Sequence, residues 1–321
     1  MSAMTLTNIS RGHPRPFIDA LGNVFSAMNK LIFLNVRFEN HQVDPALERS
    51  VRAFVEEHQL YEVQVRLNEY APLEELGRLF TNGNVNIFLR LFFGLPLWLA
   101  YTLNVGRIFG GDHYNPYSNT ANIYSGHEAI ALHELGHALD FQRRRFPGLY
   151  SLLRYIPGVA LYQEYLASLY AIELLQRHDD KAGELRAFRL LFPAYSTYVF
   201  GALFDFFPSA LVKGLMWPII VLGHLLGNAI ADQRADAMQA ATSLPCPSVR
   251  KQWLEGWGET VTFLSPSNQS GKDFLGVSVG LALGTSMCGV MALPGAYFGY
   301  WLARSEGREV ARPHPQIGSS G

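Results

Sequence analysis

The chain has 321 residues, enough for one large domain or two and for a substantial core. Its 26 basic residues nearly balance 27 acidic ones, so no bulk field recruits nucleic acid, and no nucleic-acid partner is expected. Charged residues make up 17% while AVILMFWYC make up 49%, a balance that points to membrane contact. Cys246 and Cys288 are too few for a disulfide framework or a zinc-finger spacing, and as free thiols they fit a reducing compartment.

Taken in order, residues 1–16 read as a mobile arm without the apolar core of a signal peptide. Phe17 to Phe38 carries apolar residues at helical spacing and predicts a helix lying on the domain or, less favoured, on a bilayer surface. Asp44-Pro45 is a cap-then-proline signal that opens a helix to His58, and Tyr61 to Asn68 alternates apolar and polar residues like a half-buried strand. A helix follows around Leu73 to Phe80, then a turn at Asn82-Gly83-Asn84. Residues 85–105 are apolar but broken by Gly94 and Pro96, and the uninterrupted run is short for a span that needs about 20 residues. They read as a buried or interfacial helix. Tyr61 to Asn68, Val105 to Gly110 and Asn119 to Tyr124 are expected to share one sheet.

The densest chemistry lies at His133-Glu134-Leu135-Gly136-His137. On a helix, residues four apart stack on one face, so both imidazoles reach a single metal ion while Glu134 stays beside it. Neutral imidazoles are good zinc ligands, and a catalytic site keeps one position open for a water whose pKa the metal lowers to roughly 7. Glu134 is placed to take that water's proton. Ser125 and Glu128 form a capping box that starts the helix, with Ile130, Leu132, Leu135 and Leu139 on its apolar side. Asp140 falls on the face of both histidines, where it would accept a hydrogen bond from a ligand imidazole. Glu164 lies 27 residues beyond His137, enough chain for a turn and a return helix that brings a third ligand.

This stretch resembles the zincin metallopeptidases, through HELGH, the trailing Ala138-Leu139-Asp140 and the preceding Asn119-Thr120-Ala121-Asn122-Ile123-Tyr124. The resemblance covers roughly residues 60–175. It implies an α+β zincin-like domain, with a small mixed sheet and an active-site helix, that binds Zn2+ and hydrolyses peptide bonds. His133 and His137 would be zinc ligands and Glu134 the general base. Asn119, Ala121, Asn122, Ile123 and Tyr124 would form the edge strand that pairs with an extended substrate. Zincins whose third ligand is glutamate often carry Glu-x-x-Ala, which Glu164 to Ala167 resembles. Asp232-Gln233-Arg234-Ala235-Asp236 resembles the Glu-x-x-Ala-Asp segment of the membrane-embedded CAAX prenyl protease and heat-shock peptidase family, with Asp for Glu. Asp232 is therefore the alternative third ligand, and Asp236 a supporting group. Tyr162, Tyr165, Tyr170, His127 and Arg234 are the candidate oxyanion donors.

Two stretches have membrane character: residues 214–231, uncharged, and 274–303, thirty residues without a charge. Gly276, Gly280 and Gly284, with Gly295 and Gly299, repeat every four residues, a pattern that allows close helix contact and a homo-oligomer in lipid. The expected organisation is an arm and helix (1–40), a zincin-like domain (41–194), a hydrophobic hairpin (195–303) around a loop (232–273), and a basic tail (304–321). Arg304, Arg308 and Arg312 place that tail in the cytoplasm by the positive-inside tendency, and the HELGH domain with it. The function these readings imply is a membrane-associated zinc metallopeptidase. The rival is a zincin fold kept as a membrane adaptor, or as the regulator of a glycine-row oligomer, without turnover.

Overall fold

In the computed structural model, residues 8–243 are described, apart from 110 and 157. The chain divides into two units, 1–238 and 239–321. Residues 8–238 belong to the first. The expected span 274–303, the glycine rows, most of the loop 232–273 and the basic tail lie outside the described residues.

A four-stranded sheet of order β1-β2-β4-β3 sits at the centre. It is built from β1 (Ile9–Arg11), β2 (Gln64–Leu67), β3 (His113–Asn115) and β4 (Thr120–Ile123). β1, β2 and β4 run parallel, and β3 is antiparallel to β4, with His113 opposite Asn122 and Asn115 opposite Thr120. Side chains alternate across a strand, so the register sorts the two faces. Val65, Leu67, Ala121 and Ile123, all fully buried, share one face with Tyr114, which meets Phe141 of the HELGH helix. The opposite face is polar yet enclosed. There Glu75 accepts from Asn115 and Ser118 at 2.9 and 3.0 Å and faces Arg66 at 3.4 Å, which satisfies a buried carboxylate that would otherwise cost several kcal/mol.

The helices before the site are α1 (Pro16–Phe25) and α2 (Ala27–Phe33), α3 (Pro45–Glu57), and α4 (Pro72–Thr81). The predicted helix from Phe17 to Phe38 is thus two helices, with Ser26 between them. Asp44 caps α3 as expected, accepting from the Leu47 amide at 2.8 Å ahead of Pro45. A short helix α5 (Ile87–Leu89) continues through a π turn, Arg90–Gly94, into α6 (Leu95–Leu103). The Leu95 amide reaches back to the Arg90 carbonyl, a register shift just before Pro96, which has no amide proton to offer. Residues 105–110 were expected as a strand. They hold a helical turn instead, α7 (Gly106–Phe109), and the third strand is β3. Gly106 packs on the Tyr101 ring so closely that a Cβ there would overlap it.

The HELGH helix is α8 (Glu128–Gln142), followed by α9 (Pro147–Leu152), α10 (Val159–Arg177), α11 (Lys181–Phe206), α12 (Ala210–Gly214) and α13 (Met216–Ser243). α8 and α10 pack closely because Gly136 lies against the backbone of Ala167. A Cβ at Gly136 would come within 2.4 Å of the Ala167 carbonyl oxygen. The start of α8 differs from the expected capping box. His127 is the cap, its Nδ1 accepting from the Ala129 amide at 3.2 Å, whereas Ser125 donates to Asp112 and Glu128 receives Ser50.

Lys181–Phe206 and Ala210–Gln239 are each long and apolar enough to cross a membrane, with mean hydropathy 1.2 and 1.6. The apolar region therefore begins before residue 195, inside α11, and extends past 214–231 on both sides. The two helices form an antiparallel pair. Gly223 packs on Ser196 and Pro193, and Gly227 on the backbone of Phe188 and the side chain of Phe192. Arg234 binds buried Glu184 at 2.8 Å and Asp232 binds Arg189 at 2.8 Å. The pair thus brings residues 232–234 of α13 back beside the first turns of α11.

Candidate metal centre

His133 and His137 sit one turn apart on α8, their rings nearly perpendicular with centroids 4.7 Å apart. α10 brings Glu164 to meet them. Its Oε2 lies 3.1 Å from His133 Nε2 and 3.3 Å from His137 Nε2. All three ligand atoms fall within 4.8 Å of one another, and this is the group among the described residues with the composition and closeness to hold a metal ion. Ligands at 2.0–2.2 Å in a tetrahedron stand about 3.3 Å apart. The two imidazole–carboxylate separations match that edge, so the donor set fits zinc. Glu164 is buried, and its other oxygen, Oε1, is held by Arg154. That leaves one oxygen to face the imidazoles.

Ser168 Oγ lies 3.2 Å from His133 Nδ1 and fixes that ring from behind. The residue expected there, Asp140, is engaged elsewhere: it accepts from Arg144 and from Tyr150 at 2.6 Å. His137 Nδ1 is buried without a hydrogen-bond partner. Burial pulls the His137 imidazole down to about 4, so it is neutral at physiological pH, the form that binds a metal. Burial would raise the Glu164 carboxyl, but the imidazoles and Arg154 hold it well below its usual range. Glu134 shows the opposite balance. Burial, reinforced by the nearby Asp112 and Glu164 charges, pushes its carboxyl up to about 7, a value suited to taking and returning a proton.

Glu134 and His137 line a cleft of ≈ 530 Å³. One wall is β3 with Asp112, His113, Tyr114 and Asn115; another holds Arg154, Tyr155 and Tyr198. Asp112 is pinned by the Tyr124 and Ser125 amides at 2.6 and 2.9 Å. Across β3, on the side away from β4, no strand pairs among the described residues.

Several expected site residues lie elsewhere. Asn119 to Tyr124 is not an edge: β4 runs between β2 and β3, and Ala121, Asn122 and Ile123 are buried. Asn119 is in the turn before it, accepting from the Tyr114 hydroxyl at 2.8 Å, and Tyr124 is buried against Tyr101. The edge strand is β3, three residues long. Asp232 is not brought to the histidines: it pairs with Arg189, its side chain 67% exposed, and Asp236 is exposed nearby. Of the proposed oxyanion donors, His127 caps α8, Arg234 binds Glu184 and Tyr170 lies under Arg143; none of these, nor Tyr162 or Tyr165, lines the cleft. The residues in that position are Arg154 and Tyr198, both facing Glu164 and each other, the guanidinium 6.0 Å from the ring centre. Neither carries a local sequence signal.

No family model matches the chain, and neither a curated protein nor a solved structure matches it.

Proposed function

We propose that the protein is a membrane-associated zinc metallopeptidase whose cleft hydrolyses peptide bonds. The observation that supports this most directly is the convergence of His133, His137 and Glu164 with Glu134 beside them in an open cleft. His133, His137 and Glu164 would hold the ion, which when bound supplies Lewis-acid polarisation of the scissile carbonyl and a more acidic water. Glu134 takes a proton from the attacking water as its oxygen bonds to the carbonyl carbon. As the carbon–nitrogen bond breaks, Glu134 delivers that proton to the leaving amine. The negative charge that builds on the carbonyl oxygen needs donors fixed in advance. Tyr198 and Arg154 are the donors on the cleft wall, with Arg154 also orienting Glu164. The free edge of β3 would hold the substrate as an added strand, with His113 and Asn115 beside it.

A zincin fold kept only as an adaptor has no use for a carboxylate beside the metal ligands and open to a cleft. Replacing Glu134 by Gln tests the difference. Hydrolysis of an unstructured peptide should fall by roughly 10²–10⁴-fold while bound zinc is unchanged. Undiminished hydrolysis would reject the proposed role.

A further inference from the structure

Three sets of apolar side chains remain uncovered on the catalytic unit, and they adjoin. In Ile87–Leu103, every exposed residue is apolar, Phe92 (72%) and Leu103 among the most exposed, and the one charged residue, Arg90, is buried against the Leu79 carbonyl. In α1 and α2 the exposed residues are likewise apolar except Asn23, and Met28 is 58% exposed. The third set is the outer face of the α11–α13 pair, with Trp217, Leu222 and Leu225. The few charges on this surface are Lys30 on α2 and the exposed Asp205 and Lys213 at the far end of the helix pair, and an apolar surface of this extent is not a solvated one.

Their placement relates all three to the cleft. His224 Nε2 donates to the Ile32 carbonyl at 2.8 Å, tying the end of α2 to the helix pair beside the Gly223–Ser196 contact. Tyr198, two residues beyond Ser196, lines the cleft. Phe25 of α1 packs on Phe109 at 4.6 Å, and Phe93 of the π turn on Tyr155 at 5.6 Å. Phe109 and Tyr155 both line the cleft, and are themselves 57% and 62% exposed. The cleft lining thus reaches the base of the α11–α13 pair at Tyr198, includes Leu97 and Ala100 of α6, and is backed by apolar side chains of α1 and the π turn at Phe109 and Tyr155. Beyond Ser196 the pair extends ten residues of α11, about 15 Å, which is half the thickness of a hydrocarbon core.

From this continuity we infer that the cleft opens onto the surface of a lipid bilayer: α1–α2 and Ile87–Leu103 lie in the interfacial plane around it, and the α11–α13 pair anchors that plane. A helix with an uncovered apolar side can bury it at the boundary between lipid headgroups and acyl chains. The peptides it takes are then segments held at a membrane surface, an extension that rests on the hydrolysis proposed above. The placement itself does not depend on it.

Spin labels read the placement without turnover. In the full chain with Cys246→Ser and Cys288→Ser, single cysteines replace Met28, Phe92 or, as a control at the far end of α11, Lys181. The protein is reconstituted in phosphatidylcholine–phosphatidylglycerol vesicles, and label accessibility to oxygen and to a water-soluble nickel chelate is measured. Oxygen should exceed the chelate at positions 28 and 92, with the order reversed at 181. Chelate dominance at 28 and 92 would overturn the inference, since those faces would be in water. Low access to both reagents would overturn it too, since another protein or a second copy would then cover them. Loss of peptidase activity in every preparation would leave either spectrum unchanged, so the two proposals fail separately.

Discussion

α8 and α13 both lack a clean polar-to-apolar division, and they resolve the same problem in opposite ways. α8 has twelve of its fifteen residues buried, including Glu134, His137 and Asp140, because α3, α9, α10, α11 and the sheet enclose it. α13 buries Ile220 and Ala231 and leaves Trp217, Val221, Leu222, Leu225 and Leu226 exposed. A helix apolar all round needs an apolar surrounding, either protein or lipid. Polar groups make the difference legible. Those of α8 are enclosed and partnered from other helices, as His133 is by Glu164 and Ser168, whereas Asp232 and Arg234 of α13 reach back to Arg189 and Glu184.

The comparison is sharpest under truncation. Leu135→Ala, at a fully enclosed position in α8, should cost about 2–5 kcal/mol of stability, while Leu225→Ala, exposed on α13, should change stability in detergent by less than about 0.5 kcal/mol. Chemical denaturation of the two variants checks this, and similar losses would mean that protein covers α13. A second prediction concerns the enclosed side's chemistry. Tyr198→Phe should lower kcat by roughly 10²–10³-fold with zinc content and peptide KM nearly unchanged; a loss of zinc instead would show that Tyr198 only supports Glu164.

The third prediction is smaller and concerns pH. Burial, with Arg186 and Arg37 adding to it, pulls the His127 imidazole from 6.5 down to about 4. The unfolded chain therefore binds a proton that the folded chain refuses between those values. Stability from this residue is full above pH 6.5, falls as the pH drops from 6.5 to 4, and is flat below, for a total on the order of 3 kcal/mol. His127→Asn keeps a cap acceptor that does not titrate. Melting measured across this range should show a shallower slope in the variant, and an equal slope would assign the pH dependence to other groups.

Much of the metal centre was legible because it is local. The four-residue spacing of His133 and His137 is a property of one helix, and Glu164 lies on α10, the helix that returns after α9. Gly136, between the histidines, is what lets α10 approach closely enough to deliver it. What escaped was whatever tertiary packing decides. β3 is three residues with no alternation to read, and its edge position depends on β4 entering beside β2. Tyr198 and Arg154 are ordinary helix residues until α10 and α11 turn them toward Glu164. The apolar character of α11 was hidden because its first turns carry Lys181, Glu184, Arg186 and Arg189, which mask the hydropathy that follows. Asp232 matched a motif, but its carboxylate is claimed by one of those same arginines.

The most direct test is the metal content of three purified proteins: the native chain, Glu164→Ala and Asp232→Ala. The native chain and Asp232→Ala should each carry one zinc per molecule, and Glu164→Ala should lose it while remaining folded. A native chain that folds without metal, or a Glu164→Ala variant that keeps a full complement of zinc, would contradict the account.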